Sequence, residues 1–96
     1  MKENKTLKIK EALLKGLAIT SLSAYAIART TRISAIVYNL RYDYGLPIKT
    51  GTPDEAYSDG VINYSERCRM MLDYANSHFA VYYIPPTALQ ELTQTA

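Results

Sequence analysis

TTRISAIVYNLRYDYG, residues 30–45, decides how this chain folds. Ile33, Ile36, Val37, Leu40 and Tyr44 recur at i, i+3, i+4, i+7 and i+11, which stacks them into one apolar stripe at helical period. A stripe of that kind must be buried, so the stretch is expected to form one amphipathic helix from Thr30 to Gly45. Thr30 or Thr31 is expected to cap its first turn through a hydroxyl. Gly45 is placed to close the last turn in the left-handed conformation, and Pro47 prevents a restart. The opposite face carries Thr31, Ser34, Ala35, Tyr38, Asn39 and Tyr42, short and hydrogen-bonding near the start and aromatic further along.

Upstream, Thr6 to Lys15 reads as a first helix, with Ile9, Ala12, Leu13 and Leu14 on its apolar side and Gly16 as its stop. Leu17 to Ile19 is too short for a helix and suits a brief extended segment. Thr20 or Ser21 then caps a tight helix, Leu22 to Ala28, in which Leu22, Tyr25 and Ala26 share a face while Ala24 and Ala28 permit close packing. Only two or three residues separate it from the Thr30 stretch, which forces a sharp helix-turn-helix.

Downstream the period changes. Leu46 to Lys49 is expected to be a strand, and His78 to Ile84 is the strongest strand signal, ended by Pro85-Pro86; the two are expected to pair antiparallel. Thr50 to Asp59 reads as a turn-rich loop, with Val61 to Tyr64 adding an extended piece. Ser65 to Tyr74 is expected to be helical, with Ser65 as cap and Cys68, Met71, Leu72 and Ala75 as its apolar stripe. Thr87 opens a short C-terminal helix through Leu92. The expected core includes Leu13, Leu22, Ile33, Ile36, Val37, Leu40, Ile48 and Val81.

Ninety-six residues, nearly half of them apolar, make one domain: a tail at 1–5, an insertion at 52–77, and a C-terminal helix and tail at 87–96. The longest uncharged run, Gly16 to Ala28, is too short and polar to cross a bilayer, and the Lys-rich start does not resemble a secretory signal, so the expected location is the cytoplasm. The net charge of +2 hides an asymmetry: residues 1–49 carry nine Lys or Arg against three acids, and residues 50–96 carry two against six. A basic half that coincides with the helical half suits a phosphate-facing surface.

Catalysis has no support. There is no Gly-rich phosphate loop and no positional logic for a Ser-His-Asp set, and the single His78 and single Cys68 supply neither a thiol-imidazole pair nor a zinc site. Neither a cofactor nor a small-molecule substrate is expected.

The run Ile19 to Thr50 resembles the helix-turn-helix domain of small phage and prophage proteins. The residues that carry the likeness are Arg32-Ile33-Ser34 at the start of the helix, Leu40-Arg41 near its end, Gly45-Leu46-Pro47-Ile48 at the start of a wing, and Tyr82-Tyr83-Ile84 as a closing strand. The likeness implies an α+β, mainly α, winged helix-turn-helix, with three helices and a two- or three-stranded antiparallel wing enlarged by a partly helical insertion. It also implies sequence-specific duplex DNA binding by a bacterial-cell or phage-encoded regulator or excisionase-like factor. Thr31, Arg32, Ser34, Ala35, Tyr38 and Asn39 would face base edges, while Lys15, Arg29, Thr30, Arg41, Tyr42 and Lys49 would touch phosphates. The acidic insertion departs from the pattern, since Asp54, Glu55, Asp59 and Glu66 repel phosphate. The alternative is a protein-interaction module on the same scaffold, such as a phage-encoded inhibitor of a host or defence complex. Its interface, or that of a homodimer, would be built from Cys68, Met70, Met71 and Leu72.

Overall fold

A computed structural model describes residues 5–77 and 79–94. The chain is mainly helical: α1 (Lys5–Leu14), α2 (Ser21–Ala28), α3 (Ile33–Asp43), β1 (Lys49–Gly51), α4 (Pro53–Ser58), α5 (Tyr64–Ser77), β2 (Val81–Tyr83) and α6 (Pro86–Gln94). The strands pair antiparallel, with Lys49 opposite Tyr83 and Gly51 opposite Val81. Ile19 adds an isolated antiparallel bridge to Tyr82, so the expected extended piece after α1 exists.

β2 separates two cores because its side chains alternate. Ile84 and the partly buried Tyr82 face a core of α1, α2 and α3, which includes Ile9, Leu13, Ile33, Val37 and Leu40. Val81 and Tyr83 face a smaller core with Ala56 and Ile62, against which Val61, Met70 and Phe79 pack. α6 lays Ala88, Leu89 and Leu92 on the larger core.

α3 buries Ile33, Ile36, Val37 and Leu40 as its stripe requires. It is shorter than expected at both ends. Arg32 is the N-cap and no side chain caps it; Thr30 is buried, and its hydroxyl accepts from the Arg32 N–H at 3.0 Å, so it shapes the turn rather than the helix end. Tyr44 lies past the last turn, is exposed, and sits under the Lys10 ammonium, 4.4 Å from its ring centre. Gly45 takes φ +64, and the Leu46 N–H returns to the Leu40 carbonyl, closing the helix as expected.

α2 turns a different face inward. Thr20 and Ser23 form the reciprocal cap, but Leu22, Tyr25 and Ala26 are exposed, while Ala24 and Ala28 are buried and Ile27 packs on the core. Alanines let the backbones of α1 and α2 approach closely, which a buried Leu22 would prevent. The turn into α3 puts Arg29 at φ 53, a left-handed position usually filled by glycine. At the end of α1, Leu14 is exposed rather than packed.

The insertion departs most. Thr50 to Asp59 is not a loop: β1 runs to Gly51, Thr52 accepts from the Glu55 N–H at 3.2 Å, and Pro53 opens α4. The segment 61–63 is a turn rather than a strand, with Ile62 buried, and Asn63 and Glu66 reciprocally cap α5 in place of Ser65. α5 packs through Arg67, Met70, Met71 and Tyr74, all half-buried, whereas Cys68, Leu72 and Ala75 are exposed. The strands are also narrower than expected, beginning at Lys49 rather than Leu46 and at Val81 rather than His78; Leu46 and Ile48 are nonetheless buried. His78 and most of the expected N-terminal tail lie outside the described residues.

α4 and α5 are clasped by Arg67, 2.7 Å from Asp54 and within 6 Å of the ring centres of both Tyr57 and Tyr64. The insertion is tied to the sheet by Asp59, which accepts from the Tyr83 hydroxyl and lies 3.0 Å from the Lys49 ammonium. The Tyr83 hydroxyl, followed by the Lys49 ammonium, holds the Asp59 carboxyl below its ordinary 3.8. Asp59, followed by Tyr83, holds Lys49 above its ordinary value, and burial pushes Tyr83 upward. A depressed carboxyl contributes stability above its unfolded pKa that is lost as pH falls through the folded one; the raised Lys49 and Tyr83 contribute stability that is lost only at strongly alkaline pH. Stability should therefore be flat through neutral pH and decline below about pH 4. Urea unfolding of Asp59→Asn should show a smaller acid decline; a decline identical to the parent's would remove Asp59 from this role.

Candidate nucleic-acid interface

The expected reading face of α3 is a real surface. Thr31, Arg32, Ser34, Ala35, Tyr38, Asn39 and Tyr42 are all exposed, and they lie together because the opposite stripe is buried on α1 and the sheet. Tyr38 and Tyr42, one turn apart, form a ring pair with centres 4.4 Å apart and planes at 38°. Their exposures of 60% and 72% leave most of both rings to solvent. Ala35 occupies the middle of the face, where a small side chain permits a partner's approach.

The face has two edges. Along one, Ser34 Oγ lies 3.3 Å from the Tyr82 hydroxyl, and Arg41 donates to the Ile48 carbonyl at 3.0 and 2.8 Å and to Thr50 Oγ1 at 2.6 Å. This edge is bolted to the hairpin. Along the other, Arg32, Ala35 and Asn39 border an open cleft whose far wall is Lys5 and Thr6 of α1.

Several expected phosphate contacts change character. Thr30 is buried and engaged with the Arg32 N–H. Arg41 spends donors on Ile48 and Thr50, so its first role is to fix α3 against β1. Lys49 is held between Asp59 at 3.0 Å and Glu55 at 3.6 Å, and its charge is locally balanced. Lys15 and Arg29 stay exposed; Lys15 borders a separate groove with Lys8, Glu11 and Ile27, and Arg29 lies 5.7 Å from the Tyr25 ring centre. Two of the insertion's acids are paired with cations, Asp54 with Arg67 and Asp59 with Lys49, while the Glu66 carboxylate accepts from the Asn63 N–H in a helix cap, so their repulsion is weaker than their number suggests.

Of the expected protein-contact residues, Met70 packs in the smaller core and Met71 is half-buried, whereas Cys68 and Leu72 are exposed. The sequence reading missed Tyr82 and Lys5. Tyr82 was findable by strand alternation, since it points away from Val81 and Tyr83 and toward Ser34. Lys5 falls at the end of the expected tail, where the sequence carries no comparable signal.

Among the described residues, no group of His, Cys, Asp and Glu is arranged to hold a metal ion, and no helix is long and apolar enough to cross a membrane. The chain matches no protein-family model, no curated protein and no solved structure.

Proposed function

We propose that the protein is a winged helix-turn-helix that binds duplex DNA with α3 in the major groove, as a regulator or excisionase-like factor of phage type. The observation that carries this reading is the face of α3: seven residues, mostly hydrogen-bonding or cationic, exposed together along the helix and the turn that enters it, with the opposite stripe buried. A helix of about 10–12 Å diameter fits a groove about 12 Å wide, and a rigid element places side chains against base edges better than a loop does. The pairing of β1 with β2 and the bridge to Ile19 support the winged arrangement, with α4 and α5 filling the place of a simple wing tip.

In this reading Ala35 and Tyr38 meet base edges at the centre of the face, Ser34 lies at its hairpin edge, Thr31 and Arg32 lead the helix in, and Arg29 and Lys15 touch phosphates. The reading is tested by titrating a duplex from upstream of the coding sequence at several salt concentrations, with a footprint. We expect a protected segment and an affinity that falls steeply with salt, by about 0.9 log units per log unit for each phosphate neutralised. Absence of duplex binding at low salt would reject it. A protein-interaction role is favoured by one observation, the outward stripe of α5: Tyr64, Cys68, Leu72 and Ala75 are exposed, Leu72 by 73%.

A further inference from the structure

We propose that the cleft between the first turn of α1 and the start of α3 grips a backbone phosphate, which makes Arg32 and Asn39 backbone contacts rather than readers of bases. The inference rests on the duplex-binding reading and assigns one edge of its site. The cleft has a volume of about 420 Å³ and is open along one side. Lys5 and Thr6 of α1 line one side, and Thr30, Arg32, Ala35, Ile36 and Asn39 line the other.

Three features make it a phosphodiester site. Two cations from different elements converge on it, no carboxylate lines it, and neither Lys5 nor Arg32 has an ion pair among the described residues. A guanidinium presents a planar fork to two phosphate oxygens, and the Thr6 hydroxyl and Asn39 amide add neutral donors. The open side admits a strand passing through, which a pocket closed around a free ion would not.

Helix geometry explains why this edge meets the backbone. Arg32, Ile36 and Asn39 follow at i, i+4 and i+7, so they run along the side of α3 opposite Ser34, with Ala35 between that side and the outward centre of the face. A helix that nearly fills the major groove turns its outward centre to the bases and its two sides to the flanking strands. On the hairpin side, Arg41 and Ser34 are already engaged by Ile48, Thr50 and Tyr82. On the α1 side the donors stand ready, and Lys5 lies beyond the strand and closes the grip.

The test measures affinities of the parent, Lys5→Gln and Arg32→Gln for the footprinted duplex and a scrambled duplex across salt concentrations, with thermal melts as folding controls. Each substitution should weaken both duplexes by a similar factor, roughly five- to tenfold, and lower the salt slope by about one, leaving the preference between duplexes intact. Lost preference in Arg32→Gln would show that Arg32 reads a base and overturns the assignment. Unchanged affinity in Lys5→Gln overturns the cleft while leaving duplex binding standing. If the parent binds no duplex, the functional reading falls and the cleft assignment with it. Inorganic phosphate, titrated while the NMR signals of Thr6, Arg32 and Asn39 are followed, separates the two anion sources. Millimolar phosphate that shifts these signals in a protein without duplex affinity would mark a free-anion pocket and overturn the proposal as stated.

Discussion

Ala35→Glu should abolish duplex binding while leaving the protein folded. Ala35 is exposed at the middle of the α3 face, so the new carboxylate would sit against the negative potential of the groove. Like charges placed together at an interface cost several kcal/mol, which corresponds to a loss of about a hundredfold or more in affinity. Stability should not suffer. Ala35 is the third residue of α3, where an acid interacts favourably with the helix N-terminus by about 0.3–1 kcal/mol, and no side chain caps that end. The melting temperature should therefore hold or rise slightly. A folded variant that binds duplex as the parent does would remove α3 from the interface.

The second large effect is on stability. Tyr83→Ala should destabilise the protein by about 3–5 kcal/mol, because the ring is fully buried between β1 and the insertion, among Ala56, Ile62 and Val81. For a domain of this size each kcal/mol lowers the melting temperature by about 4–8 °C, and the total stability of a small domain is only about 5–15 kcal/mol. The melting temperature should therefore fall by about 12–40 °C. Tyr83→Phe keeps the ring and removes only the hydrogen bond to the Asp59 carboxylate, so its cost should be smaller, about 1.5–3 kcal/mol. Equal losses in the two variants would place the stabilisation in the hydroxyl rather than in the buried ring.

Long, periodic signals survived the passage from sequence to structure. The α3 stripe, the Gly45 stop, the Thr20 cap and the antiparallel pairing of the two extended segments are all present, because each is encoded by neighbours in the chain or by a repeat along one element. The failures have physical causes. α2 is apolar on nearly every side, so period alone cannot choose between Leu22-Tyr25-Ala26 and Ala24-Ala28; the close approach of α1 chooses the alanines. Thr52-Pro53-Asp54-Glu55 signals a helix start as strongly as a turn, since proline has the same φ at the first helical residue and in a turn. α5 turns Arg67, Met70 and Tyr74 inward in preference to Cys68 and Leu72: the Asp54 ion pair and two tyrosine rings hold Arg67, Met70 packs on the smaller core and Phe79 meets the Tyr74 ring.

The candidate site was legible to the same depth. Exposure of the polar face of α3 follows from burial of its stripe. The free or engaged state of each cation does not, because Lys49 meets Asp59 and Arg41 meets Ile48 only after the hairpin and insertion have folded. A count of basic residues in the first half therefore overstates the charge available to phosphate, and Lys5 and Arg32, which have no ion pair among the described residues, matter more than the total.

The most direct test of duplex recognition by α3 is an amide NMR titration of the protein with its footprinted duplex. The account predicts that the largest shifts fall on Thr31, Arg32, Ser34, Ala35, Tyr38 and Asn39, with a smaller set at Lys5 and Thr6 and little change along α5. Shifts confined to Cys68, Met71 and Leu72, or no shifts on duplex at low salt, would contradict it.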